Sequence, residues 1–293
     1  CASVLHGGKI TGTYAKHHLP NYSVFDEYRN FVPGTTTAVI HVAGVDVGLV
    51  ICEDAWQDGG PFEDLAPARP GLVIVINGSP YARDKDDVRV PLIQRRALEL
   101  NTHVAYVNLV GGQDDLVFDG DSFIVSNGGL VVARSPRFVP DLLVADVNVP
   151  AAHTELRGFV PNLSLIEAAP TARQHLPMAK PVVNEPHVDS REQVWSALVL
   201  GLRDYVNKNG FPSVILGLSG GIDSAVCAAI AVDALGSDRV FGVSMPSQWS
   251  SDHSRSDADD LAERLGIHLR TEAIANVVAP VEDQLSLDGV AAE

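Results

Sequence analysis

Two short stretches of this 293-residue chain hold residue types and spacings suited to chemistry. In the first, Cys52 closes an apolar run, Val45–Cys52, and is followed by Glu53-Asp54-Ala55-Trp56. Lys16 opens Lys16-His17-His18-Leu19-Pro20-Asn21-Tyr22, just beyond a second strand-like run, Lys9–Ala15. A thiol becomes a nucleophile when a cation lowers its pKa and a base takes its proton. A lysine in a water-poor pocket stabilises an oxyanion. Taken singly, the same residues also read as a small core cysteine and a solvated charge. The second stretch is Ser219-Gly220-Gly221-Ile222-Asp223-Ser224, between the apolar run Val214–Leu218 and the Ala-rich run Ala225–Leu235. Paired glycines let a ligand approach the backbone, and a helix start offers free N–H groups and a positive dipole end to an anion. Asp223 suits an anion cradle only if Mg²⁺ accompanies the phosphates. An ordinary Gly-rich turn with Ser and Asp caps is the plainer alternative, and Asp252 and His253 likewise read as caps or as groups near a nucleotide.

These groups need elements to place them. In the first half, Lys9–Ala15, Val45–Cys52, Leu72–Ile76 and Val104–Leu109 read as strands, with the nearly continuous apolar run of Asp46–Cys52 pointing to burial on two faces. Asp84–Leu100 reads as a helix that Pro91 either disturbs or begins. Asn127-Gly128-Gly129 between Ser122–Ser126 and Leu130–Arg134 signals a hairpin, and Leu142–Val147 reads as a further strand. From Pro150 to about Ser190 six prolines recur (150, 161, 170, 177, 181 and 186), which reads as a connector. Beyond it, helix Arg191–Asn207, strand Val214–Leu218, helix Ala225–Leu235, strand Arg239–Met245, helix Ser254–Leu265 and strand Ile267–Thr271 alternate as in a doubly wound parallel sheet. In a sheet of this kind ligands gather at the carboxyl ends of the strands, where Cys52 and the Gly-rich turn both fall.

Composition narrows the function. A net charge of −16 argues against a nucleic-acid partner, which needs a basic footprint. The apolar runs are too short to span a bilayer, so no membrane partner is expected. Three widely spaced cysteines, Cys1, Cys52 and Cys227, imply no disulfide framework and fit a reducing cytoplasm. The first residue is Cys1 and the two methionines are Met178 and Met245, so processing or a longer parent chain is expected.

The wording around the first site, Lys16–Phe31 (KHHLPNYSVFDEYRNF) and Val50–Trp56 (VICEDAW), resembles the nitrilase-like amidases, in particular their glutamine-hydrolysing members. That resemblance implies a Glu-Lys-Cys triad in which Cys52 attacks the side-chain amide of glutamine and Lys16 stabilises the oxyanion. Glu27 matches an auxiliary glutamate, and Tyr22, Ser79 and Lys85 fall at glutamine-binding positions. Phe118–Ser122 matches a structural turn. The triad's base glutamate has no match, since Cys1–Ala15 contains no carboxylate. Gly217–Ser224 (GLSGGIDS) resembles the loop of ATP-dependent ligases that release pyrophosphate, and it lacks the Lys-Ser/Thr of a Walker A loop. This implies ATP on Gly217, Leu218, Ser219, Gly220, Gly221, Ile222, Asp223 and Ser224, with Asp223 a Mg²⁺ ligand and Met245 beside adenine.

The two modules in this order, over about Gly8–Asn148 and Glu192–Glu272, resemble the glutamine-dependent NAD⁺ synthetases. The resemblance implies glutamine, ATP and deamido-NAD⁺ as substrates, a homo-oligomer and an internal ammonia route. The alternatives are another amidotransferase with a pyrophosphatase-type loop, and a non-catalytic binding module that keeps the folds. The expected organisation is a nitrilase-like α/β sandwich over 1–149 lacking its N-terminal part, a linker over 150–189, and an ATP-pyrophosphatase domain over 190–293 lacking its C-terminal part. A chain so cut is expected to have neither full activity alone.

Overall fold

A computed structural model describes residues 1–83, 86–153, 163–168, 182 and 189–285. It divides into two compact units: Cys1–Gly111 with Phe118–Ser190, and Gly112–Val117 with Arg191–Glu293.

The first unit is built on strands β1 (Ala2–His6), β2 (Lys9–Tyr14), β3 (Thr37–Val42) and β4 (Val45–Ile51). Two short helices, α1 (Glu53–Trp56) and α2 (Pro61–Asp64), precede β5 (Leu72–Asn77), helix α3 (Asp86–Leu100) and β6 (His103–Asn108). A small hairpin, β7 (Val110–Gln113) and β8 (Leu116–Asp119), whose Gly112–Val117 is counted with the second unit, leads to β9 (Phe123–Val125), β10 (Val131–Arg134) and β11 (Leu163–Ala168). Seven strands form one mixed sheet in the order β10-β9-β6-β5-β4-β3-β11, with β4, β5 and β6 parallel at its centre. The apolar run of β4 is buried throughout its middle, because both faces of a central parallel strand are covered. On one face, Val50, Val73, Val75, Val104, Tyr106 and Phe123 pack with Phe62, Leu65, Ile93 and Ala97 from the helical side. A Cβ on Gly48 would stand 2.8 Å from Leu65, so the missing side chain gives that leucine its seat.

The second unit contains helix α4 (Ser190–Lys208), β12 (Val214–Gly217), α5 (Ile222–Leu235), β13 (Val240–Ser244), α6 (Asp252–Leu265), β14 (His268–Thr271) and α7 (Ala275–Leu285). Its three strands are parallel in the order β12-β13-β14, as the alternating pattern predicts. The core lies between this sheet and α5 and α6, where Leu218, Ala228, Ala231, Val240, Ala258 and Ala262 meet. Ile215, Phe241 and His268 form a cross-strand row on the other side, with Ile215 73% exposed and the Phe241 and His268 rings stacked at 5.2 Å. Within this unit Gly112 donates its N–H to Asp204 at 2.8 Å and accepts from Lys208 Nζ at 2.7 Å.

Several expectations need correction. Pro91 does not begin a helix; it lies inside α3, and the helix runs through it to Leu100. Leu142–Val147 is not assigned as a strand: among the described residues it joins no ladder, and Leu142 and Val144 are exposed. Not all of the 150–189 linker is a connector. Leu163–Ala168 form β11, whose parallel pairing with β3 satisfies an otherwise open edge; the prolines at 161, 170, 177, 181 and 186 lie outside the described residues. Helix α5 begins at Ile222 rather than Ala225, and α6 at Asp252 rather than Ser254, with the Ser251 hydroxyl accepting from Ser254 N–H as its cap.

Phe123 is fully buried and stacks on Tyr106 at 5.0 Å. Phe123→Ala is expected to destabilise the first unit by about 3–5 kcal/mol, read as a lower denaturant midpoint with unchanged slope.

Candidate active site

Cys52 follows β4 at the carboxyl end of the central parallel strands, with its neighbour β5 ending in Asn77-Gly78. Its backbone is bent sharply, φ 46° and ψ −101°, outside the wells a side-chain-bearing residue favours. Such a conformation costs of order 1–3 kcal/mol and persists only where the surroundings fix it. Here Cys52 N–H donates to Ile76 O at 3.0 Å, and Cys52 O accepts from Ala55 N–H at 2.9 Å. The fully buried Arg96 guanidinium, stacked over the Phe62 ring, donates to Ala55 O at 2.8 Å and holds α1 from behind.

Cys52 lines a cavity of about 450 Å³ together with Lys16, Glu27, Phe25, Phe31, Ile51 and Gly78. Lys16 Nζ donates to both oxygens of Glu27, at 2.7 and 2.8 Å, and the two side chains are largely buried. The structure thus gathers Lys16, Glu27 and Cys52 at one cavity. An ammonium fixed beside a thiol favours the thiolate and a developing oxyanion.

The expected glutamine-binding residues are placed differently. Tyr22 is absent from the cavity lining; its hydroxyl donates to the Glu53 carboxylate at 3.0 and 2.9 Å. Burial of its hydroxyl end and that bond push the Tyr22 phenol up to about 12. Ser79 is buried next to cavity-lining Gly78, and its backbone is held by the Asn108 side chain, N–H to Oδ1 at 2.9 Å and O from Nδ2 at 3.2 Å. Lys85 lies outside the described residues. The Phe118–Ser122 turn carries a buried ion cluster, in which Arg89 pairs with Asp119 at 3.1 Å and Arg134 with Asp121 at 2.6 Å.

Sequence reasoning assigned no role to Asp54, and the structure gives it the densest bonding near Cys52. Its buried carboxylate accepts from Tyr14 Oη at 2.7 Å, Ile51 N–H at 3.0 Å, His17 N–H at 3.0 Å and His18 N–H at 2.9 Å. An acidic residue between a buried strand and Ala55-Trp56 was the available signal.

In the second unit the loop after β12 turns at Gly220, φ +78°, where a Cβ would lie 2.2 Å from Ser254 O. Ser224 Oγ bridges Ser219 N–H and Gly221 O at 3.3 and 3.0 Å, so hydroxyls brace the loop from within. Asp223 is exposed in the first turn of α5, and a Cβ on Gly217 would stand 3.2 Å from Met245 Cε. Among the described residues there is no group of three or more His, Cys, Asp or Glu suited to a metal. One carboxylate beside an anion cradle fits a Mg²⁺ ion held mainly by phosphates and water. No helix among the described residues is long and apolar enough to cross a membrane.

A cysteine at a bent strand end, in a cavity shared with a lysine–carboxylate pair, is the arrangement of a thiol-dependent amide hydrolase. Comparison with known proteins sharpens this. Residues 2–154 match the carbon-nitrogen hydrolase model and residues 194–291 the NAD synthase model. The chain belongs to the carbon-nitrogen hydrolase family. It is 42% identical over 285 residues to the glutamine-dependent NAD(+) synthetase of Aquifex aeolicus, covering 94% of this chain and 50% of that protein. It is 39% identical to the Acinetobacter baylyi enzyme of the same name, covering 91% and 44%. The structure of glutamine-dependent NAD⁺ synthetase from Acinetobacter baumannii in complex with ADP superposes with a TM-score of 0.82 at 35% identity, over 99% of this chain and 51% of that one. The chain therefore spans about half the length of the relatives it matches.

The raised Tyr22 phenol stabilises the folded state below its unfolded value of about 10, an increment lost as pH rises toward about 12. Tyr22→Phe is expected to lower the melting temperature at pH 8, with the gap to wild type narrowing by pH 11. Melting curves at the two pH values test this, and an unchanged gap would contradict it.

Proposed function

We propose that this chain carries the glutaminase centre and the ATP loop of a glutamine-dependent NAD⁺ synthetase. The observation that carries the reading is the meeting of Lys16, Glu27 and Cys52, remote in sequence, at one cavity in a carbon-nitrogen hydrolase fold. Cys52 attacks the carbonyl carbon of the glutamine side-chain amide, and the oxyanion forms against the Lys16 ammonium that Glu27 holds in place. Collapse of the tetrahedral species breaks the C–N bond, and the thiol proton leaves with ammonia. Water then cleaves the thioester to glutamate. Tyr22, Ser79 and Lys85 are proposed to surround the glutamine, Tyr22 through the Glu53 contact described above.

In the second unit, the carboxylate of deamido-NAD⁺ attacks the α-phosphorus of ATP, releasing pyrophosphate, and ammonia then displaces AMP to give NAD⁺. Gly217–Ser224 cradle the phosphate end and Met245 faces the adenine; that the Acinetobacter baumannii relative is solved in complex with ADP is in keeping with a nucleotide-binding protein. Bound Mg²⁺ neutralises phosphate charge, with Asp223 as its protein ligand. The protein is proposed to act in the cytoplasm, as a homo-oligomer with an internal route for ammonia.

In the full-length protein, Cys52→Ala is expected to lower glutamine-dependent NAD⁺ formation by about a thousandfold or more and to leave ammonia-dependent formation intact. Asp223→Ala is expected to reduce synthesis from either nitrogen source by about a hundredfold while glutamine hydrolysis persists. Coupled assays of NAD⁺ and glutamate check both; retained glutamine use by Cys52→Ala would exclude it as the nucleophile.

A further inference from the structure

The Lys16 loop and the Cys52 bend come from separate parts of the chain, and one side chain bonds to both. Asp54 Oδ1 accepts from His17 and His18 N–H, the two amides directly after Lys16. Asp54 Oδ2 accepts from the hydroxyl of Tyr14, two residues before Lys16, and from the N–H of Ile51, directly before Cys52. We propose that Asp54 is the positioning residue of the glutaminase centre: its carboxylate sets the Lys16 ammonium against the Cys52 thiol. This rests on the roles given above to Cys52 and Lys16.

Asp54 is fully buried and absent from the cavity lining, so it acts through its neighbours rather than on substrate. Both oxygens are occupied by donors, and among the described residues the basic side chain nearest its carboxylate is His18, with Nδ1 at 3.9 Å. A buried carboxylate without a close cation depends on such a set of neutral donors. Burial and the Asp54 charge in turn raise the Tyr14 phenol well above its ordinary range, which keeps it a donor. Asparagine cannot copy the arrangement. It has one acceptor oxygen, and its NH₂ must face either the His17–His18 amides or Ile51 N–H, donor against donor. Aspartate is therefore specified at this position by four donors converging from both sides of the site. Among the described residues the titratable groups around the thiol are Lys16, Glu27 and Cys1 at the cavity, with Tyr22 and Tyr106 within electrostatic reach; Asp54 fixes where the lysine of this set stands.

The test compares Asp54→Asn and Tyr14→Phe with wild type in the full-length protein. Glutamine hydrolysis, ammonia-dependent NAD⁺ formation and the pH profile of Cys52 alkylation by iodoacetamide are measured. Peptide mass spectrometry separates Cys52 from the exposed Cys1 and Cys227. The expected result for Asp54→Asn is a kcat for glutamine hydrolysis about a hundredfold lower, KM within threefold and ammonia-dependent synthesis within twofold. The alkylation midpoint rises by at least about one pH unit, because the thiolate has lost its cation. Tyr14→Phe moves the same quantities in the same direction, by about tenfold in kcat. An unmoved midpoint and kcat in Asp54→Asn overturn the proposal, as does parallel loss of ammonia-dependent synthesis with an unmoved midpoint in Tyr14→Phe. If Asp54→Asn does not fold, Tyr14→Phe decides by its midpoint alone. Cys52→Ala forms a separate arm: full glutamine hydrolysis there sinks the reading of the site, not the placement of Asp54.

Discussion

A buried carboxylate with no close cation is among the least tolerant groups a protein can hold, since each missing donor leaves desolvation uncompensated. Asp54 is such a group, and its four donors are drawn from β2, the loop after it and the end of β4. Its bonding therefore constrains the register between these segments. The Lys16–Glu27 pair and the cavity inherit that register, because the loop that carries them starts where Asp54 clamps it. The carboxylate is less an energetic asset than a specification: few other arrangements of these segments would satisfy it.

The clamp works only because the frame behind it is stiff. On one face of the sheet the side chains of the central parallel strands meet α3 and the short helices in a closely packed layer. Arg96 reaches from α3 under α1 and satisfies a carbonyl that the four-residue helix leaves open. The strained backbone of Cys52 is then held from the strand side by Ile76 and from the helix side by Ala55. Strain at one residue is sustained by ordinary backbone hydrogen bonds on either side of it.

How much of this the sequence disclosed follows from the range of the interactions. The Gly-rich turn after β12, the Asn127-Gly128-Gly129 hairpin and the apolar run into Cys52 are local signals, written within a few residues of one another. Strand β11 was not legible because its partner β3 is remote in sequence; β1 and β3 each pair with the next strand, β2 and β4, and were missed because their own apolar patterns are short. Leu142–Val147 shows the converse: the alternation of a strand is present, and among the described residues the segment joins no ladder. Pro91 misled because a penalty on one residue was outweighed by the buried stripe of Arg89, Ile93, Arg96 and Ala97. Of the site, the cysteine and lysine were legible by type. Asp54 was not, since three of its bonds span more than thirty residues and leave no periodic trace.

At Gly220 the loop presses backbone to backbone against Ser254, at a distance no side chain could share. The loop therefore cannot wander independently of the start of α6, and its Ser219 and Ser224 braces hold it in the same shape. Were a ligand to bind there, as proposed, it would meet a loop already ordered, so little conformational entropy would be left to be lost on binding. Recognition at the proposed site would then be a matter of fit to a rigid mould, with selectivity set by shape before any charge is neutralised.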